Sequence, residues 1–310
     1  MKITKKDTTS SKIATLILSI IMIFTFVSCG SQEETQTGPI KIATKPMTEQ
    51  YILGEMLKML IEKNTDFKAD ITKGIGGGTS NIQPAMEKGE FDLYPEYTSS
   101  GWMMVLDKEA AGIGDEKMFE ELKKEYEAKY KMTWVGLYGF NNTFTIAVTK
   151  KTADEYNLKT NSDLTSVSEE LVFGGNPDYI EREDGFPALC KEYSYKFKDV
   201  NDIDIGLKYE ALKKADIDVT DAFTTDAWIS ENDIVTLEDD KNFQVNYFCS
   251  TVVREDALEK YDGLEDALLL MNNLISDKEM SQLNYQVEFN DMDEDVVAKE
   301  YLVSKGLLGN

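Results

Sequence analysis

From residue 40 to residue 305, short apolar runs of strand character alternate with segments whose apolar residues recur at helical spacing, and no long linker interrupts them. Residues 40–44 (IKIAT) read as a short buried strand. Residues 51–63 then set Ile52, Met56, Met59 and Leu60 on one helical face, with Thr48, Glu49 and Gln50 as the helix start. Further strands are expected at 68–73, 91–94, 133–135 and 145–148, with helices at 81–88 and 116–129. A second series places strands at 172–174, 202–205, 219–223, 234–237 and 248–253. Its helices fall at 153–156, 166–171, 187–193 and 206–214, with a loop at 161–164. Four more helices, at 257–261, 264–274, 277–287 and 294–305, complete the chain. Such alternation implies an α/β protein with a parallel sheet and crossover helices. With 310 residues the chain has enough length for two domains and a sizeable core, and no internal repeat stands out.

The first 28 residues lie outside that series. Lys2, Lys5, Lys6 and Lys12 precede an apolar run at 13–27, and Ser28-Cys29-Gly30 puts small residues around a cut. That run is too short for a comfortable membrane span. A cysteine at this point resembles a bacterial lipoprotein signal, with 1–28 removed and Cys29 lipidated. An ordinary secretory peptide with an incidental cysteine is the competing reading. Residues 29–39 are read as a flexible tether, because SQEETQTG is polar and aperiodic.

Charge and missing residue types narrow the function further. The net charge is −24, and residues 1–28 contribute +3, so the chain beyond the cut carries −27. This acidity argues against nucleic acid or anionic lipid as a partner, since phosphates would be repelled. The chain has no histidine, which removes Ser-His-Asp and Cys-His catalysis, His-ligated zinc and imidazole acid–base steps. No cofactor or metal is implied. Beyond the cut, Cys190 and Cys249 sit in apolar surroundings and read as two buried free thiols, a disulfide being the alternative.

Three segments carry the chemistry: Lys45-Pro46-Met47-Thr48-Glu49-Gln50-Tyr51, Tyr94-Pro95-Glu96-Tyr97-Thr98-Ser99-Ser100-Gly101 and Gly139-Phe140-Asn141-Asn142-Thr143-Phe144. All lie where a strand-like run ends, and all offer aromatic rings and small polar groups without a nucleophile–base pair. That suits a site that holds a ligand without transforming it. In this order and spacing they resemble the binding component of ABC importers for quaternary ammonium compounds, the glycine betaine/carnitine/choline-binding family, from about residue 40 to the C-terminus. The resemblance implies a two-lobed fold of the type II periplasmic-binding-protein kind, with a ligand cleft between the lobes and two hinge crossings. Lobe one would be 40–142 plus 248–310 and lobe two 143–247. It also implies a monomer on the outer face of the cytoplasmic membrane, held there by its lipid only, that serves a permease and its ATPase.

A quaternary ammonium group is charged but has no N–H to donate, so aromatic faces suit it better than a salt bridge. The resemblance assigns such a box to Tyr97, Phe144, Phe223 and Tyr247. Phe144 and Phe223 depart from the tyrosine usual there: they keep the π-face and lose the hydroxyl. For any one ring the competing reading is core packing. Arg182 resembles an arginine that takes a ligand carboxylate, with a local ion pair to Glu181, Glu183 or Asp184 as the alternative. Lys45 and Gln50 lie at the first strand–helix junction, and Ser80, Thr98 and Ser100 are candidate hydrogen-bond donors, Ser80 being equally a helix cap. Asn141 and Asn142 are expected to organise the hinge.

Three rivals remain at this level. An extracellular α/β enzyme would use Glu96, Asp92 or Asp226 as acid and base. The same fold can hold another solute, such as an amino acid or an anion. A surface adhesin would bind no small molecule. Gly76-Gly77-Gly78 lacks the Gly-Lys-Ser/Thr ending of a phosphate loop, and Asp291–Asp295 lacks the calcium-loop pattern and reads as solvated surface.

Overall fold

The computed structural model describes residues 38–110, 113–181, 185–204, 207–230 and 233–309. The expected signal peptide, Cys29 and most of the tether lie outside these residues. The chain first lays down β1 (Ile40–Ala43), β2 (Ala69–Thr72), β3 (Leu93–Tyr97) and β4 (Met132–Asn141). It continues through β5 (Phe144–Thr149), β6 (Val172–Gly175), β7 (Asp199–Asp202), β8 (Val219–Phe223) and β9 (Ile234–Leu237), and ends its strands with β10 (Phe248–Arg254). Two five-stranded sheets result, ordered β2-β1-β3-β10-β4 and β7-β6-β8-β5-β9.

The two orders are the same topology. In each sheet three strands pair in parallel, and the strand that has just arrived from the other sheet inserts antiparallel beside the third: β10 against β3, β5 against β8. The sequence pattern implies parallel strands with crossover helices; three strands of each sheet pair that way, and each sheet is mixed by the inserted antiparallel strand. The reason is directional. Strands β1, β3 and β8 run toward the region between the sheets, whereas β5 and β10 begin there and run away from it.

Both faces of each sheet are covered, as mostly parallel sheets require. The helix Thr48–Asn64 buries Ile52, Leu53, Met56, Leu57, Leu60 and Ile61, because sheet one lies on one side and the C-terminal helices on the other. Tyr94, Trp102, Leu122, Tyr126 and Trp134 fill the opposite face of the first sheet. The second sheet is packed by Ile146, Phe173, Leu189 and Val219 on one side and by Tyr209, Leu212 and Ile217 on the other. Cys249 is a buried free thiol; Cys190 is free too, but only half-buried.

Several boundaries move for local reasons. β4 extends six residues past the expected 133–135, since its apolar alternation is broken at Gly136 and Gly139, which hold φ of +66° and +111°. β7 falls at Asp199–Asp202 instead of 202–205, an exposed edge whose side chains give no apolar signal. The expected loop at 161–164 is the helix Asn161–Thr165, started by a reciprocal Thr160–Asp163 capping box. After Ser100 the backbone loosens into a π-helical turn, Gly101–Val105. A Cβ on Gly101 would stand 2.5 Å from Trp134, so only glycine lets this turn close on the core.

Candidate functional site

Strand ends from both sheets converge on one cavity of about 260 Å³. Tyr97 ends β3, Phe144 opens β5, Phe223 ends β8, and Tyr247 immediately precedes β10. All four rings line it, and Lys45, Met47, Ser100 and Asn142 stand between them. The convergence follows from register. Phe144 and Phe223 are cross-strand partners, with ring centroids 4.6 Å apart. Phe144 also stacks on Tyr179 at 4.9 Å. Ligand sites at the carboxyl ends of strands, where sheet connections reverse, are the general rule for open α/β folds.

The chain crosses between the sheets twice, and the crossings are laced together beside the cavity. Asn142 N donates to Tyr247 O (3.1 Å), Tyr247 N to Asn141 Oδ1 (2.7 Å), and Thr143 Oγ1 to Val245 O (2.6 Å). Asn141 Nδ2 donates to Asn246 Oδ1 (2.7 Å), and Asn141 N to Asp277 Oδ1 (2.7 Å). Asn141 thus ties the two crossings together, while Asn142 lines the cavity.

Charges sit behind the rings. On the first sheet's side, Lys45 Nζ pairs with Glu96 and lies 4.7 Å from the Tyr97 ring centroid. Thr79 Oγ1 donates to the other Glu96 oxygen at 2.7 Å. The Tyr97 hydroxyl donates to Glu49 Oε1 at 2.5 Å, and Asn142 Nδ2 reaches the same oxygen at 3.0 Å. Burial pushes the Tyr97 phenol well above its usual range, and the Glu49 charge adds to that. On the second sheet's side, Lys208 Nζ pairs with Asp221 Oδ2 of β8 at 2.9 Å, both side chains almost wholly buried. Asp226 accepts from Phe223 N (3.0 Å) and from the Tyr209 hydroxyl, and so fixes the backbone under Phe223.

The other expected ligand contacts divide. Gln50 is buried and accepts from Lys45 N at 3.4 Å, while Thr98 Oγ1 accepts from Phe248 N at 3.2 Å; both brace the loops behind the rings. Ser80 is exposed on the helix Thr79–Glu87, and Thr79 is the residue that turns inward. Arg182 lies outside the described residues. Glu96, Asp92 and Asp226 are engaged separately, Asp92 by Lys41 N at 2.8 Å. Among the described residues no acidic or cysteine cluster is arranged to hold a metal.

The substrate-binding domain of ABC-type glycine betaine transport systems matches residues 38–304 of this sequence. The chain belongs to that family. A member is the extracytoplasmic substrate-binding component of an ABC importer: it holds a small solute for a permease and is not an enzyme. The ergothioneine transport permease/ergothioneine binding protein EgtU of Helicobacter pylori is 42% identical over 269 residues, which are 87% of this chain and 48% of that protein. This chain therefore spans about half of that relative's length. The carnitine transport binding protein OpuCC of Listeria monocytogenes is 35% identical over 88% of this chain and 87% of its own. A crystal structure of a glycine betaine/carnitine/choline ABC transporter component superposes with a TM-score of 0.81 at 31% identity, covering 86% of this chain and 99% of the other. The fold is accordingly the type II periplasmic-binding-protein kind.

Within this binding domain the sequence alone missed Glu49, Met47 and Asn142 as parts of the site. The segment around Lys45 was conspicuous, but its acid reads there as an ordinary first-turn helix residue. Only the tertiary approach of Tyr97 reveals a different partner for it.

Proposed function

We propose that this binding domain takes a quaternary ammonium solute such as glycine betaine, carnitine or choline, with Tyr97, Phe144, Phe223 and Tyr247 around the cation. One observation carries the reading: four rings from two sheets line a single cavity of about 260 Å³, a volume suited to a small solute. Each ring contributes roughly 0.5–2 kcal/mol when water is excluded, and micromolar binding needs about −8 kcal/mol, which four rings reach only at the upper value, so a second anchor helps. Ser100, Asn142 and Lys45 supply polar atoms for the solute's far end, and Arg182 is proposed as the carboxylate partner from its place in the sequence. We take lobe one as 40–142 with 248–310 and lobe two as 143–247, closing on the solute about the laced crossings. Thr98, Gln50 and Ser80 act in this reading as support for the loops. Cys29 carries the lipid that holds a monomer at the membrane.

A second reading concerns the solute's size. A hollow of about 100 Å³ adjoins the box through Phe144 and Tyr247 and adds Tyr179 and Phe243. It favours a betaine bearing a ring, such as ergothioneine, the solute named for the 42% identical relative. Calorimetric titration with glycine betaine, carnitine, choline and ergothioneine, with proline as control, tests both. Micromolar binding of a trimethylammonium compound with proline silent is expected, and a clear preference for ergothioneine supports the second reading. Silence toward all four cations overturns the box.

A further inference from the structure

Glu49 stands in the first turn of the helix Thr48–Asn64, with its side chain 3% exposed. Its carboxylate touches two residues that line the cavity, Tyr97 at 2.5 Å and Asn142 at 3.0 Å, both through Oε1. Oε2 is buried without a hydrogen-bond partner. Thr225, from the turn after β8, and Asn284, from the helix Asp277–Glu288, face the same group. One acid therefore gathers both sheets, the hinge and a C-terminal helix, and these partners are all neutral.

A buried carboxylate without a cation is costly. Burial accordingly raises the Glu49 pKa above the usual carboxylate range, although Tyr97, Thr225, Asn142 and Asn284 draw it down. Lys45 does not neutralise Glu49, because its ammonium is committed to Glu96. A quaternary ammonium ion in the box brings the missing charge to within one tyrosine ring. It has no N–H to give, so it acts through its field. The short bond from an ionised Glu49 to the Tyr97 hydroxyl also makes the ring a better cation acceptor.

We propose that Glu49 is the counter-charge of the cation box, a positioning residue that acts through Tyr97 and Asn142 and is a carboxylate when a quaternary ammonium solute is bound. The inference rests on the cation reading of the cavity. At pH values below its raised pKa, where empty Glu49 is protonated, binding releases that proton to solvent, and the solute is otherwise unchanged. Among neighbouring titratable groups, Tyr97 and Cys249 are pushed up by burial and stay protonated through neutral pH. Glu288 and Asp277 on the helix Asp277–Glu288, and Asp226 after β8, are also raised by burial, so a substitution at Glu49 is needed to single it out. The sign follows: cation affinity rises as pH climbs through the raised pKa and is lost below it.

The test is calorimetric titration with the tightest binder among glycine betaine, carnitine, choline and ergothioneine, from about pH 5 to about pH 8, in two buffers of different ionisation enthalpy. The wild type is expected to release protons on binding and to lose affinity on the order of tenfold toward acid. Glu49→Gln should bind on the order of tenfold more weakly at the alkaline end, with a flat profile and no proton release. Glu49→Asp should restore the pH dependence. Binding by the wild type without proton exchange and with level affinity overturns the proposal, and this measurement needs no variant to fold. A Glu49→Gln protein that keeps the wild-type profile overturns it equally. If none of the four solutes binds, the cation reading has failed and the counter-charge falls with it.

Discussion

The first sheet presents Tyr97 to the cavity with its hydroxyl bonded to Glu49, whereas the second presents Phe144 and Phe223 ring against ring with no hydroxyl to satisfy. Both stand at equivalent places, because the two sheets share one topology. The contrast teaches where a phenol is worth having. A buried hydroxyl needs a partner: Glu49 takes that of Tyr97, whereas the second side's acids, Asp221 and Asp226, are engaged by Lys208, Phe223 N and Tyr209. The second side instead fixes the backbone of Phe223 through Asp226, with Asp221 of the buried Lys208–Asp221 pair on the same strand. One half of the box thus supplies charge and polarity; the other supplies dry aromatic surface.

Breaking the support of the second half has the largest expected effect. Lys208→Met strands Asp221 in the core and should cost about 3–5 kcal/mol of stability, read from chemical denaturation. A loss below about 1 kcal/mol would show that the pair does not hold this half together. Removing rings comes next. Tyr97→Ala and Phe223→Ala should each weaken solute binding by up to about thirtyfold, the upper value for one desolvated cation–π contact. If Phe223→Ala binds like the wild type, the box is one-sided and the comparison fails.

Removing only the hydroxyl separates the halves. Tyr97→Phe leaves Glu49 with one donor fewer and should cost about 1–3 kcal/mol at alkaline pH, where Glu49 is ionised. Its dependence on pH has a definite sign. Glu49's folded pKa is already raised and rises further without the phenol, so the loss is greatest at alkaline pH, where Glu49 is ionised in both proteins, and fades as pH falls through these raised folded values. Melting temperatures of the variant and wild type across pH measure this, and a gap that widens toward acid would contradict it. The smallest effect is expected from Phe144→Tyr and Phe223→Tyr, which should change affinity by less than about threefold, since Asp226 and Asp221 on that side are already engaged by Phe223 N, Tyr209 and Lys208.

How far this contrast was legible in the sequence depends on the kind of signal. The strand runs near Tyr97, Phe144, Phe223 and Tyr247 were legible, but these four rings were singled out by the family resemblance, and the structure places all four along one cavity. The antiparallel insertion of β5 and β10 was hidden, because periodicity reports burial and not strand direction. Ser80 and Thr79 show a similar limit: adjacent hydroxyls look alike in sequence, and only the helix phase decides which one faces Glu96. Glu49 was hidden most deeply, since its partners come from positions 97, 142, 225 and 284.

The central claim is that the positive charge, held between the two unlike halves, is what the cavity recognises. Glycine betaine and 3,3-dimethylbutanoate have the same shape and carboxylate and differ by the ammonium nitrogen. Titrating the protein with both measures the charge alone. Glycine betaine is expected to bind at least about tenfold more tightly, as a desolvated cation–π contribution of roughly 1.4 kcal/mol or more requires. Equal affinity for the two, or silence toward the betaine, would contradict it.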